Sequence, residues 1–155
     1  MTYGSIDAHR TRIDRVIARA KALDPGDPVR GDLAQHVCIL VSGYIEQTVK
    51  SLVLVHCSNR GVPATVERYV RGQLRRYFQS ADAERIYALV GALDPSLEVA
   101  LRAKLSPAQE AAITSVVRLR HQFAHGGQAG TSIARQESYR GLIEAGLVDL
   151  RQVLA

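Results

Sequence analysis

Along the chain, apolar residues recur at spacings of three and four between clusters of Gly and Pro, the pattern of helices joined by short loops, and no convincing pair of strands interrupts it. Ile6, Ile13, Val16, Ile17, Ala20 and Leu23 form one stripe of a first helix over about Ile6 to Leu23, which Asp24-Pro-Gly-Asp-Pro28 stops. A second helix is predicted from Asp32, read as its N-cap. It carries Leu33, Val37, Leu40, Val41, Tyr44, Ile45, Thr48, Leu52 and Val55, so it should be the longest and most buried. Ser58-Asn-Arg-Gly61 ends it.

Pro63 opens a third helix, whose Val66, Tyr69, Val70, Leu74, Tyr77 and Phe78 are expected to face inward. On its outer side Arg68, Arg71, Arg75 and Arg76 follow an i, i+3, i+7, i+8 spacing and make one basic stripe. Shorter helices are predicted over about Ala81 to Leu93 and Pro95 to Leu105, the latter capped by Asp94 with Pro at its first position. Ser106-Pro-Ala-Gln109 is a capping box, so a strong helix should start there and run through Ile113, Val116, Val117 and Phe123 to Gly126-Gly127. After Ser132 a last helix buries Tyr139, Ile143, Leu147, Leu150 and Val153. These elements predict an all-α, up-and-down helical bundle with additional short helices, in one domain over 1–155.

Composition narrows the chemistry. Twenty Lys and Arg against fifteen Asp and Glu leave a net charge of +5, and Lys21, Lys50 and Lys104 are the only lysines. The excess is therefore arginine, whose planar fork suits phosphate, and nucleic acid leads the anionic partners this charge favours. Cys38 and Cys57 lie in apolar surroundings without CxxC spacing, which points to buried free thiols rather than a disulfide framework or zinc ribbon. The N-terminus has no apolar signal region, and the pure aliphatic stretches are too short to span a bilayer, so the expected place is the cytoplasm, with no membrane partner. No Walker loop, GxSxG, HExxH, EF-hand or GxGxxG pattern occurs.

The densest group of acid/base side chains is Val116-Val-Arg-Leu-Arg-His-Gln-Phe-Ala-His-Gly-Gly127, with two Arg and two His at the end of the capped helix. Within it, Arg120-His-Gln-Phe-Ala-His125 resembles the R-x4-6-H signature of the HEPN superfamily, and the order of helices and the segment Ser42-Gly-Tyr-Ile-Glu-Gln47 are similar to its RiboL-PSP-HEPN branch. His121 stands where Asn is commoner, and Gly-Gly after His125 replaces the His-x-Tyr extension of the nucleotidyltransferase-linked members. The resemblance implies a helical bundle that dimerises so that Arg and His of both subunits meet in one cleft. It also implies either metal-independent endoribonuclease activity, in a toxin with an antitoxin or in phage defence, or a noncatalytic module that binds protein or nucleotide.

Elementary chemistry reaches a similar site. RNA is cut without a metal when a base deprotonates the 2′-hydroxyl, an acid protonates the leaving 5′-oxygen and a cation stabilises the charged phosphorane. His125 is the titrating candidate, Arg120 the phosphate ligand and His121 a supporting group. Five residues at about 100° each set Arg120 and His125 roughly 140° apart on a regular helix, a gap that a homodimer could close while supplying the second proton carrier. Glu46 is a candidate to orient Arg120 or His125. Arg118, Arg68, Arg71, Arg75 and Arg76 are candidates for RNA contact, each equally readable as a solvated helix residue. His121 and His125 have an i, i+4 spacing that can hold zinc, but no third ligand follows at a recognisable spacing, so no metal or other cofactor is expected.

Overall fold

A computed structural model describes residues 3–125 and 130–155, with side chains from Ile6 onward. Among these residues there are seven helices and no strand: α1 (Tyr3–Lys21), α2 (Pro28–Asn59), α3 (Ala64–Tyr77), α4 (Ala83–Leu93), α5 (Pro95–Lys104), α6 (Pro107–Ala124) and α7 (Ile133–Val153). Helix boundaries follow local chemistry. Asp82, Asp94, Ser106 and Ser132 each accept a backbone N–H in the first turn of α4, α5, α6 and α7, and Ser106 and Gln109 complete both halves of the capping box. Each such cap contributes about 1 kcal/mol by satisfying a donor the helix itself cannot. At the end of α2, Val62 N–H reaches the Cys57 carbonyl and Gly61 N–H the Ser58 carbonyl, with Gly61 at φ 68°. That Schellman turn needs a left-handed residue, which only glycine adopts freely.

Two sequence expectations are corrected here. Helix α2 starts at Pro28, with Asp27 rather than Asp32 as its N-cap: the Asp27 carboxylate accepts from Val29 N–H at 2.9 Å, and Pro28 fits a first-turn position where no N–H is needed. Helix α3 buries much less than its apolar content suggested. Leu74 and Phe78 are buried and Val70 packs partly against the core, whereas Val66, Tyr69 and Tyr77 are exposed. A helix resting mainly on one neighbour, here α2, buries only a narrow strip, and the flanking positions stay in water. The Gly126-Gly127 stop lies outside the described residues; α6 is regular to Ala124, and His125 is its C-cap.

Helices α1, α2, α6 and α7 form an up-and-down bundle, and α3, α4 and α5 are inserted between its second and third members. Side-chain pairs set the directions. Lys21–Glu137, Asp14–Arg140 and Arg10–Glu144 run α1 antiparallel to α7. His56 Nδ1 lies 2.7 Å from the Leu154 carbonyl, bringing the ends of α2 and α7 together. Gln109, early in α6, donates to Asp149, late in α7, while the Cys38 thiol meets the Val116 carbonyl. Against α6, α4 is antiparallel: Ser80, just before it, meets His121, and the Tyr87 hydroxyl donates to Glu110.

The core gathers the predicted stripes of α1, α2, α6 and α7 around fully buried Ile13, Val37, Val41, Ile45, Ile113, Ile143 and Leu150. Burial of each such side chain contributes about 1.5–3 kcal/mol. Helix α2 is also long and apolar enough, by length and composition, to cross a membrane; 61% of that window is buried inside the protein, the place of a central bundle helix. At Gly146 a Cβ would come within 3.3 Å of Leu105 and 3.6 Å of Gln109 and Ile113, so the missing side chain lets α7 settle closely on α5 and α6.

Candidate functional site

The C-terminal turn of α6 presents the motif. Arg120 is half-buried, while Arg118, His121 and His125 are exposed. The His125 N–H bonds back to the His121 and Gln122 carbonyls at 3.2 Å each, so the helical geometry is retained up to the motif histidine. None of Arg118, Arg120, His121 and His125 has a carboxylate partner among the described residues. The two guanidinium charges there are uncompensated, the condition under which a phosphate can bind them bidentately.

His121 is tied to a second element. Its Nε2 lies 3.3 Å from the hydroxyl of Ser80, a buried residue in the short link between α3 and α4. Ser80 follows Arg75 and Arg76 by a few residues, so the end of the α3 basic stripe and the end of α6 occupy the same side of the fold. Ser80 escaped the sequence reading, because a lone serine in a loop carries no spacing signal toward a helix 41 residues away.

Other candidates lie apart. In a regular helix Arg120 and His125 project about 140° apart, and no hydrogen bond or ion pair joins them within one chain. Glu46 is not beside either: its carboxylate pairs with Lys50 at 2.6 Å. From the Cys38–Val116 contact, Glu46 lies eight residues one way along α2 and Arg120 four residues the other way along the antiparallel α6. At 1.5 Å per residue that separates them by about 18 Å along the bundle. An orienting role for Glu46 in this chain is therefore corrected to an i, i+4 ion pair on α2.

Arg68, Arg71, Arg75 and Arg76 are all exposed, as the stripe predicted. Arg71 pairs with Glu67 at 2.7 Å, and the Arg76 guanidinium sits 5.7 Å from the Tyr77 ring. Rather than a featureless outer face, Arg68, Arg71 and Arg75 border a cavity of about 400 Å³ between α2 and α3.

Among the described residues no group of three or more His, Cys, Asp or Glu side chains is gathered where a metal could be held. Both cysteines are buried free thiols. Burial pushes the Cys38 thiol up to about 12, which makes it an inert packing residue rather than a nucleophile.

Compared with family models, curated proteins and solved structures, the chain matches none. Its fold and candidate site therefore rest on its own residues.

Proposed function

We propose that the protein is a metal-independent endoribonuclease of HEPN type, cutting RNA by attack of the 2′-hydroxyl at a site composed across a homodimer. The observation that carries this reading is Arg120-x4-His125 at the exposed end of α6, with Arg118 and Arg120 free of carboxylates. In this mechanism Arg120 binds the scissile phosphate and stabilises the phosphorane. His125 of one subunit takes the 2′-hydroxyl proton as the new O2′–P bond forms. His125 of the other gives a proton to the 5′-oxygen as the P–O5′ bond breaks, leaving a 2′,3′-cyclic phosphate and a 5′-hydroxyl. His121 supports the site through Ser80, and Arg118 and the α3 arginines attract the strand. No cofactor takes part. The biological setting in keeping with this activity is a cytoplasmic toxin held by an antitoxin, or a phage-defence effector.

The separation of Arg120 and His125 within one chain favours a second reading, a noncatalytic module of the same type that binds a protein or nucleotide. Incubating total RNA with the protein in excess EDTA, beside the His125→Ala protein, separates the two. Cleavage by the first alone, with cyclic phosphate ends, supports the nuclease. No cleavage by a protein that sediments as a dimer at micromolar concentration favours the module.

A further inference from the structure

The cavity between α2 and α3 has a composition of its own. Its volume, about 400 Å³, falls within the range of small-molecule sites. Four cations border it, Lys50 from α2 and Arg68, Arg71 and Arg75 from α3. Glu46 pairs with Lys50 and Glu67 with Arg71, whereas Arg68 and Arg75 have no carboxylate partner among the described residues. Two positive charges thus remain uncompensated at one concave opening, seven positions apart on the same helix. A phosphodiester strand carries one negative charge per phosphate, but a phosphate monoester carries close to two at neutral pH.

The wall behind the cations is different in kind. Leu54 and Leu74 give it an apolar surface, and Gly72 leaves it open, since a Cβ built there meets no atom within 4 Å. Two polar groups of α2 line the same cavity without satisfied oxygens: Gln47 Oε1 and Ser51 Oγ are buried and have no hydrogen-bond partner among the described residues. Ser51 is only 8% exposed. Buried polar atoms are ordinarily paired, so an unpaired amide oxygen at a cavity wall is matched by a ligand that brings an N–H or O–H donor. Phosphate alone brings none at neutral pH, whereas a ribose or base does.

We propose that the α2–α3 cavity is a binding site for a nucleoside monophosphate. Arg68 and Arg75 hold the phosphate at the rim, the nucleoside rests against Leu54 and Leu74, and its hydroxyl or amino donors meet Gln47 and Ser51. This site is separate from the α6 motif and stands whether or not the protein cuts RNA.

Calorimetric titration of the full chain with adenosine and uridine 5′-monophosphates tests it, with adenosine, inorganic phosphate and a 5′-hydroxyl tetranucleotide as comparison arms. One monophosphate should bind per chain, at least tenfold more tightly than adenosine or inorganic phosphate. Arg68→Gln with Arg75→Gln should weaken that binding at least tenfold. Gly72→Leu should abolish it by filling the cavity while raising Tm, because leucine is the better helix former. Four results would overturn the proposal: no saturation by either monophosphate at millimolar concentration; equal affinity for inorganic phosphate; unchanged binding by Gly72→Leu; or binding of the tetranucleotide alone. The last would assign these arginines to strand tracking, and RNA cleavage measured in parallel shows independently whether the nuclease reading holds.

Discussion

Ser80 Oγ and His121 Nε2 lie 3.3 Å apart, although 41 residues separate them in the chain. The contact joins the end of the α3–α4 link to the last turn of α6, and so fixes the orientation of one imidazole of the motif. Ser80→Ala should therefore lower RNA cleavage several-fold with little change in Tm, since a part-buried neutral hydrogen bond contributes about 1 kcal/mol. Adding Ser80→Ala to His121→Ala should cause no further loss, and a double-mutant cycle of cleavage rates checks this. Additive losses would show that the two side chains act separately.

Arg120 and the α3 arginines should fail in different kinetic terms. Arg120→Ala is expected to reduce the saturated cleavage rate by a factor on the order of a hundred, the range for lost donors to a developing oxyanion. Arg71→Ala with Arg75→Ala should instead weaken RNA binding and flatten its salt dependence, leaving the saturated rate nearly unchanged. Single-turnover rates across RNA and salt concentrations distinguish the two. If Arg120→Ala raised only the RNA concentration needed for half-maximal rate, Arg120 would be a binding residue.

The buried thiol predicts a pH dependence of stability. Burial raises Cys38 from about 9 to about 12. Between those values the unfolded chain loses the thiol proton while the folded chain keeps it, so stability falls as pH rises above about 9 and is unaffected by this group below it. Urea unfolding from pH 7 to pH 11 should show that decline, and Cys38→Ala should show a shallower one despite its lower starting stability. In the native state at pH 8, Cys38 should resist a thiol-specific reagent that labels it rapidly in urea.

Gly146→Leu tests the close packing of α7. The new side chain would be driven into Leu105, Gln109 and Ile113. Despite better helix propensity it should destabilise the fold by about 1–3 kcal/mol, the usual cost of overpacking. Thermal unfolding of this variant beside Gly141→Leu, where a Cβ meets nothing within 4 Å, provides the control.

Local physics made much of this chain legible from its residues alone. The periodic stripes of α1, α2, α6 and α7 became the core. The caps at Asp94, Ser106 and Ser132 and the turn at Gly61 fell where their side chains or backbone demanded. Each of these depends on residues within about four positions, so sequence carries the whole signal. The start of α2 was ambiguous because Asp27 and Asp32 are both competent caps, and only the observed bond to Val29 chooses between them. What the tertiary structure decided was which apolar residues found a neighbour and which charges met. Val66, Tyr69 and Tyr77 are as apolar in sequence as Leu74, yet α3 lies mainly on α2 and can bury only the strip that faces it. Glu46 and Arg120 are separated, and Ser80 and His121 joined, by the direction in which α6 runs past its neighbours. The α2–α3 cavity arises likewise, since its arginines and its buried serine belong to helices whose spacing no local pattern records.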